Sequence, residues 1–265
     1  GLFWDNFFQL PDEEPQDDVA GLRAEGRLTW RPSEERPLAV FAEGGATAYD
    51  DSALDTTLLL GAGLVWDGED DDLDVGLRLE LDRPSFEAGD TFGTADLLDL
   101  GVVYAHRLSG DWEVSGLAET YRLEYEESPG RDNDFGSLGA AVRYRGWGYD
   151  LSPELGVELG RRDAVDPDED HDQTDVWLKL RSAPIPPLYL TLRLRHRLRD
   201  YSIDDPLAGN FGREDDRNQV TLTADWETGD LLTWTLYYAW EDADSTKPSR
   251  VFTTQLLAVG ARFAF

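Results

Sequence analysis

Apolar and polar residues alternate along most of this chain with a period of two, the signature of β-strands that face two different environments. Residues 73–82 carry it most cleanly. Leu73, Val75, Leu77, Leu79 and Leu81 stand on one side, and Asp74, Gly76, Arg78, Glu80 and Asp82 on the other. Residues 21–30 set Leu22, Ala24, Gly26, Leu28 and Trp30 against Arg23, Glu25, Arg27 and Thr29. The same grammar recurs over 38–49, 56–66, 97–108, 112–125, 136–146 and 149–160. It continues through segments around 176–181, 188–195, 220–226, 232–238 and 251–265, which makes about thirteen strands. The phase blurs near Thr120, where a bulge is expected. Residues 2–10, LFWDNFFQL, alternate poorly, and the segment 1–20 that holds them reads either as a first strand or as a lumen or periplasmic segment.

Alternation alone does not separate a membrane barrel from a soluble sandwich, but three further features do. Most of these segments run for about ten residues or more, as a membrane-crossing strand must, whereas strands of soluble proteins average about 5–6. Their connections alternate in length: 109–111, 146–148, 183–187 and 228–230 are short, and 83–96, 126–135, 161–175, 200–217 and 241–250 are long. Trp30, Trp66, Trp112, Trp147, Trp226 and Trp234 all fall at strand ends on the short-turn side, as an aromatic girdle at one interface requires, with Phe263 and Phe265 beside them. The predicted fold is all-β: one domain over 1–265, a transmembrane antiparallel up-and-down β-barrel of about fourteen strands, within a range of 12 to 16. Fourteen counts residues 2–10 as strand one, because an even number puts both termini on the short-turn side.

The last stretch, VFTTQLLAVGARFAF, places Leu257, Val259, Ala261, Phe263 and Phe265 on one face and finishes on an aromatic ring. It resembles the C-terminal strand of bacterial outer-membrane β-barrel proteins. That resemblance implies a bacterial outer-membrane location, surroundings of outer-membrane lipid and lipopolysaccharide, and recognition of the terminal strand by the barrel assembly machinery. Met is absent even at position 1, so the chain reads as a mature form whose signal peptide has been removed.

If the leucine faces meet lipid, the opposite faces line a lumen, and they carry the chemistry. RLRHRLR at 193–199 stacks Arg193, Arg195, Arg197 and Arg199 along one strand, extended by Arg143, Arg145, Lys179 and Arg181 with Glu154 and Glu158 interposed. Arg23, Glu25, Arg27, Arg78 and Glu80 complete the candidate lining. The array resembles the arginine ladder of porins and implies a porin-like channel for ions or small hydrophilic solutes. The competing reading is a plugged or structural barrel that scaffolds a secretion or surface complex through a protein partner.

Composition narrows the field further. No apolar run reaches the ~18–20 residues of a spanning helix, and the mean hydropathy of −0.49 is compatible with alternating strands. The net charge of −31 argues against binding nucleic acid through its phosphates. Without Cys there is no disulfide framework and no thiolate metal site. No enzyme is expected. His106 and His196 lack the Ser two residues on that a barrel phospholipase needs. Asp170–His171 lacks the second acidic pair of an outer-membrane aspartyl-type protease, so DPDEDHDQTD reads as a solvated acidic loop. Within it Asp166, Asp168 and Asp170 alternate as Ca²⁺ ligands do, but His171 and Trp177 occupy the Gly and Glu positions of an EF-hand loop. No cofactor is expected.

Overall fold

The computed structural model describes residues 21–263 apart from 33–36, 50–55, 87–91, 127–128, 148–150, 186, 202, 204–209 and 229–231. The expectations for residues 2–10, and those for Phe265, lie outside the described residues. Among the described residues thirteen strands follow one another: β1 Gly21–Trp30, β2 Leu38–Tyr49, β3 Thr57–Asp67, β4 Asp71–Phe86, β5 Phe92–Arg107, β6 Trp112–Tyr125 and β7 Asn133–Tyr144. Then come β8 Ser152–Ala164, β9 His171–Ile185, β10 Leu188–Asp200, β11 Glu214–Glu227, β12 Leu232–Ser245 and β13 Phe252–Phe263. All lie in one sheet in chain order, each strand antiparallel to the next, which is the up-and-down meander expected from the alternation.

The two faces are inverted relative to a soluble protein. Leu28, Leu138 and Leu159 are 76%, 69% and 60% exposed, whereas Asp175 is 0%, Arg199 3% and Glu113 4% exposed. An apolar outer face around a charged inner one is stable only where the outside is itself apolar. Trp30, Trp66, Trp112, Trp147, Trp226 and Trp234 all stand exposed at the short-turn end. The Tyr144 ring links Trp112 at 4.9 Å and Trp147 at 5.3 Å into one aromatic cluster there. Phe263 pairs with Leu232 on β12 at the same level.

The connections depart from expectation. The segments 83–96, 161–175 and 241–250 are not long loops, because β4 and β5 run to Phe86 and from Phe92, and β8, β9 and β12 extend likewise. Backbone pairing continues beyond the apolar belt, where water no longer demands outward apolar residues and the alternation disappears from view. Single 3-10 turns, each opened by a proline, lie in the connections β6–β7, β8–β9 and β12–β13: Pro129–Arg131, Pro167–Glu169 and Pro248–Arg250. Among the described residues, the widest separation between successive strands is that from Asp200 to Glu214.

β6 pairs with β7 without a break through Thr120, so the expected bulge is absent there. Its phase is blurred because Leu117 points inward against Gly139 while the outward positions, Gly116, Ala118 and Thr120, are small. The irregularities lie elsewhere, between Glu80 and Arg83 on β4 and between Leu188 and Leu190 on β10. At the first, Asp82 takes the left-handed conformation (φ 55°), and its N–H donates to Asp96 Oδ1 at 3.1 Å.

Candidate functional site

The inner face is built from odd or even positions of each strand, and cross-strand register decides which charges meet. On β9 and β10, Arg195 pairs with Trp177 and Arg197 with Asp175. Asp175 therefore sits beneath the arginine file. Arg195 donates to both its carboxylate oxygens, at 2.9 and 2.6 Å, and Arg197 Nε donates to Oδ1 at 3.0 Å. Gln173 Nε2 donates to Oδ2 at 2.8 Å, and Gln173 Oε1 accepts from Arg199 Nε at 2.9 Å. The basic ladder is thus a network in which one carboxylate serves two guanidiniums.

A second centre forms on β6–β8. Arg143 donates to Glu113 Oε1 at 2.9 Å and, through Nε, to Glu154 Oε2 at 2.9 Å. Arg145 reaches the other Glu113 oxygen at 3.1 Å. On β4, Arg78 bonds Glu80, and Arg83 lies 3.8 Å from the same carboxylate. Lys179 and Glu158 are buried on the inner face, and Arg181 and Arg193 are half-buried there. Arg27 stacks on the Phe41 ring at 3.6 Å. Arg23 and Glu25 occupy β1 positions paired with Thr47 and Gly45.

Residues that the sequence reading passed over complete the wall. Asp175 and Gln173 were hidden in a stretch read as loop; the signal was the step of two from His171 through Gln173 and Asp175 to Trp177. Arg217 reaches Glu241 at 3.5 Å across β11 and β12.

Aromatic side chains on the inner face lie flat against it. A Cβ on Gly156 of β8 would stand 2.2 Å from the Trp177 indole, and one on Gly63 of β3 would stand 2.5 Å from the Phe41 ring. Glycine at these positions leaves the rings room on the wall instead of in the lumen.

At the long-loop end, 201–213 is tied down by its ends. Tyr201 is 3% exposed, packs against the His171 ring in a tilted arrangement with centroids 4.8 Å apart, and lies under the Arg213 guanidinium at 4.1 Å. Burial pushes the Tyr201 hydroxyl pKa up. Arg213 donates to Asp215 at 2.9 and 2.5 Å, and Ser245 Oγ donates to the same carboxylate at 2.6 Å. Asn210 Nδ2 donates to the Asp168 carbonyl at 2.7 Å, and its Oδ1 accepts from Arg213 and Lys247, each at 3.3 Å. One side chain thereby joins the connections 165–170, 201–213 and 246–251.

His171 is therefore not part of a solvated loop. It opens β9 with its side chain buried, because the strand begins at the residue itself. The neighbouring aspartates are engaged by backbone: Asp166 accepts from Asp168 N at 3.0 Å, and Asp170 accepts from Ala164 N at 2.6 Å. Asp168, the third member of the Ca²⁺-like alternation, is held by the same turn. Among the described residues, no group of three or more His, Asp or Glu side chains is arranged to hold a metal ion.

No protein-family model matches the chain, and no curated protein matches it. Solved structures do. A bacterial polysaccharide outer membrane secretin superposes with a TM-score of 0.51 at 13% identity, over 97% of this chain and 81% of its own. OmpT, an outer membrane protein of Vibrio cholerae, gives 0.49 at 9% identity over 92% and 95%. The translocator domain of the autotransporter NalP from Neisseria meningitidis gives 0.45 at 14% identity over 93% and 87%. With its thirteen-strand meander, apolar exterior and charged interior, the chain has the fold of bacterial outer-membrane β-barrels.

Proposed function

We propose that this chain is an outer-membrane channel through which ions or small hydrophilic solutes diffuse passively, guided by a basic wall on β9–β11 opposite a more acidic one on β4–β6. The observation that carries the reading is the state of the inner charges. Arg193, Arg195, Arg197 and Arg199 on β10 and Lys179 and Arg181 on β9 stand on the face opposite the exposed leucines, with Asp74, Asp99 and Glu113 on the inner face of β4–β6. Gathering so many ionised side chains in a dry interior is costly, and a hydrated lumen lowers that cost. The apolar outer face supports a membrane location, with lipid and lipopolysaccharide around the belt. The terminal strand Phe252–Phe263 supports delivery by the barrel assembly machinery.

Passage needs no chemical step, and none is assigned. Arg193, Arg195 and Arg197 act as a fixed positive field that favours anions and slows cations. Planar-bilayer recording under a salt gradient tests this. Arg195→Ala with Arg197→Ala should move the reversal potential toward cations while open steps persist; an unchanged reversal potential would contradict the role of the wall.

One observation favours the competing reading, a plugged or scaffolding barrel. Asp175 is fully buried and neutralises two of the four ladder arginines, as a rigid structural network would require. A barrel that inserts but never conducts would support it.

A further inference from the structure

The outward girdle at the short-turn end is built of tryptophan and leucine, but one place in it is ionic. Asp71 opens β4 and faces His106 of β5 directly across the pair, on the same side as the exposed Leu77, Leu98 and Leu100. Its carboxylate Oδ1 accepts from the Tyr104 hydroxyl at 2.5 Å and from His106 Nδ1 at 2.8 Å. Trp66 stands on one flank, paired with the Leu73 that also faces Tyr104. Trp112 stands on the other, beside the Val114 that pairs with His106. Rings of such a girdle sit at the level of lipid headgroups, and Asp71 and His106 share that level.

This bonding leaves two polar atoms over. An ionised carboxylate only accepts, so Nδ1 of His106 carries the proton and Nε2 is the nitrogen left for an outside partner. Among the described residues, Asp71 Oδ2 and His106 Nε2 have no protein partner, and both side chains are close to half exposed. We infer that Asp71 and His106 form a binding site for a phospholipid with a phosphoethanolamine headgroup. The lipid phosphate accepts from His106 Nε2, and the lipid ammonium donates to Asp71 Oδ2.

Charge complementarity selects this headgroup. With both ring nitrogens protonated, the pair holds one charge of each sign side by side, as phosphoethanolamine does. A trimethylated headgroup nitrogen has no N–H to give Oδ2. A headgroup whose only charge is its phosphate leaves that oxygen unanswered and sets like charge against the carboxylate. Trp66 and Trp112, both exposed, offer ring faces for the glycerol and the first acyl carbons. The site lies on the outer surface, so it stands whether the lumen conducts or is plugged; it rests only on the membrane belt.

Native mass spectrometry tests the assignment on the full chain, folded in detergent with equal amounts of phosphatidylethanolamine, phosphatidylcholine and phosphatidylglycerol. Lipid retention is scored only for protein with the gel mobility of a folded barrel. The unaltered chain should retain phosphatidylethanolamine with about tenfold preference, the effect of one charge-assisted hydrogen bond. D71N and H106Q should each lose that preference. H196Q, which alters an outward histidine toward the long-loop end of β10, should keep it. Equal retention of the three lipids by the unaltered chain, or a preference that survives both D71N and H106Q, would overturn the inference. If the variants do not fold, the unaltered chain in phosphatidylcholine vesicles decides. Brominated phosphatidylethanolamine should quench its tryptophan fluorescence more than the same amount of brominated phosphatidylcholine, because the lipid gathers beside Trp66 and Trp112; equal quenching would overturn the inference. A chain that never inserts would remove the membrane belt, and the site with it.

Discussion

Asp175 exposes no surface, yet its carboxylate answers two guanidiniums and a glutamine amide. Removing one member of such a buried network strands the others, which is why the loss exceeds the net worth of the pair. Asp175→Asn keeps the shape and deletes the charge. It should destabilise the barrel by about 3 kcal/mol, read from urea titrations in vesicles, and move the reversal potential toward anions as Arg195 and Arg197 lose their counter-charge. No change in either quantity would mean that the network relaxes around water. Tyr201 offers a pH readout. Its folded pKa lies above the unfolded value of about 10, so its contribution is complete below that pH and is lost as pH rises through the folded value. Tyr201→Phe should therefore flatten the alkaline limb of stability above about pH 10 and leave neutral pH little changed. The arginine file was legible in the sequence because it alternates with Leu192, Leu194 and Leu198 on the lipid side. Its counter-ion was not, since Asp175 lies beyond an acidic run where no outward apolar residue marks the phase.

At the scale of strands, length and alternation are set by the belt, and glycine decides where rings lie. Gly156 pairs directly with Trp177, and any side chain there must displace the indole. Gly156→Val should cost about 1–3 kcal/mol through overpacking and, by turning the ring toward the lumen, lower single-channel conductance. Stability lost with conductance intact would show that the ring moves along the wall instead. Strand centres were readable from sequence to within a residue or two, and strand ends were not. β4 and β5 each run for 16 residues because their outer ends need only backbone pairing, which leaves no hydropathy signal. The phase of β6 was lost for the opposite reason: an inward leucine at 117 and small outward residues contradict the simple rule that apolar means lipid-facing.

For the whole molecule, the governing fact is the sorting of charge. Basic residues gather on the inner face, while the acidic excess behind a net charge of −31 lies largely in turns and in outward strand ends such as Asp163, Asp172 and Asp216. An arginine on the lipid face should break that sorting. Leu77→Arg, at the middle of the outward row on β4, is expected to cost about 2–4 kcal/mol in vesicle unfolding, whereas Gln219→Arg on the inner face should cost far less. Equal costs would mean that the two faces are not in different solvents. Strand parity could be argued from sequence, but the shared direction of β1 and β13 needed the observed order of the described strands.

The most direct test of the account is cysteine accessibility along β11, where Gln219, Thr221 and Thr223 face inward and Val220, Leu222 and Ala224 face outward. Single cysteines at these six positions, in vesicle-inserted protein, are treated with a charged, water-soluble thiol reagent. A water-filled lumen inside a lipid-facing belt predicts rapid labelling at 219, 221 and 223, with a fall in current on labelling, and protection at 220, 222 and 224. Protection at all six would mean a dry, plugged interior and would contradict the channel; labelling at the outward three would contradict the membrane-facing belt itself.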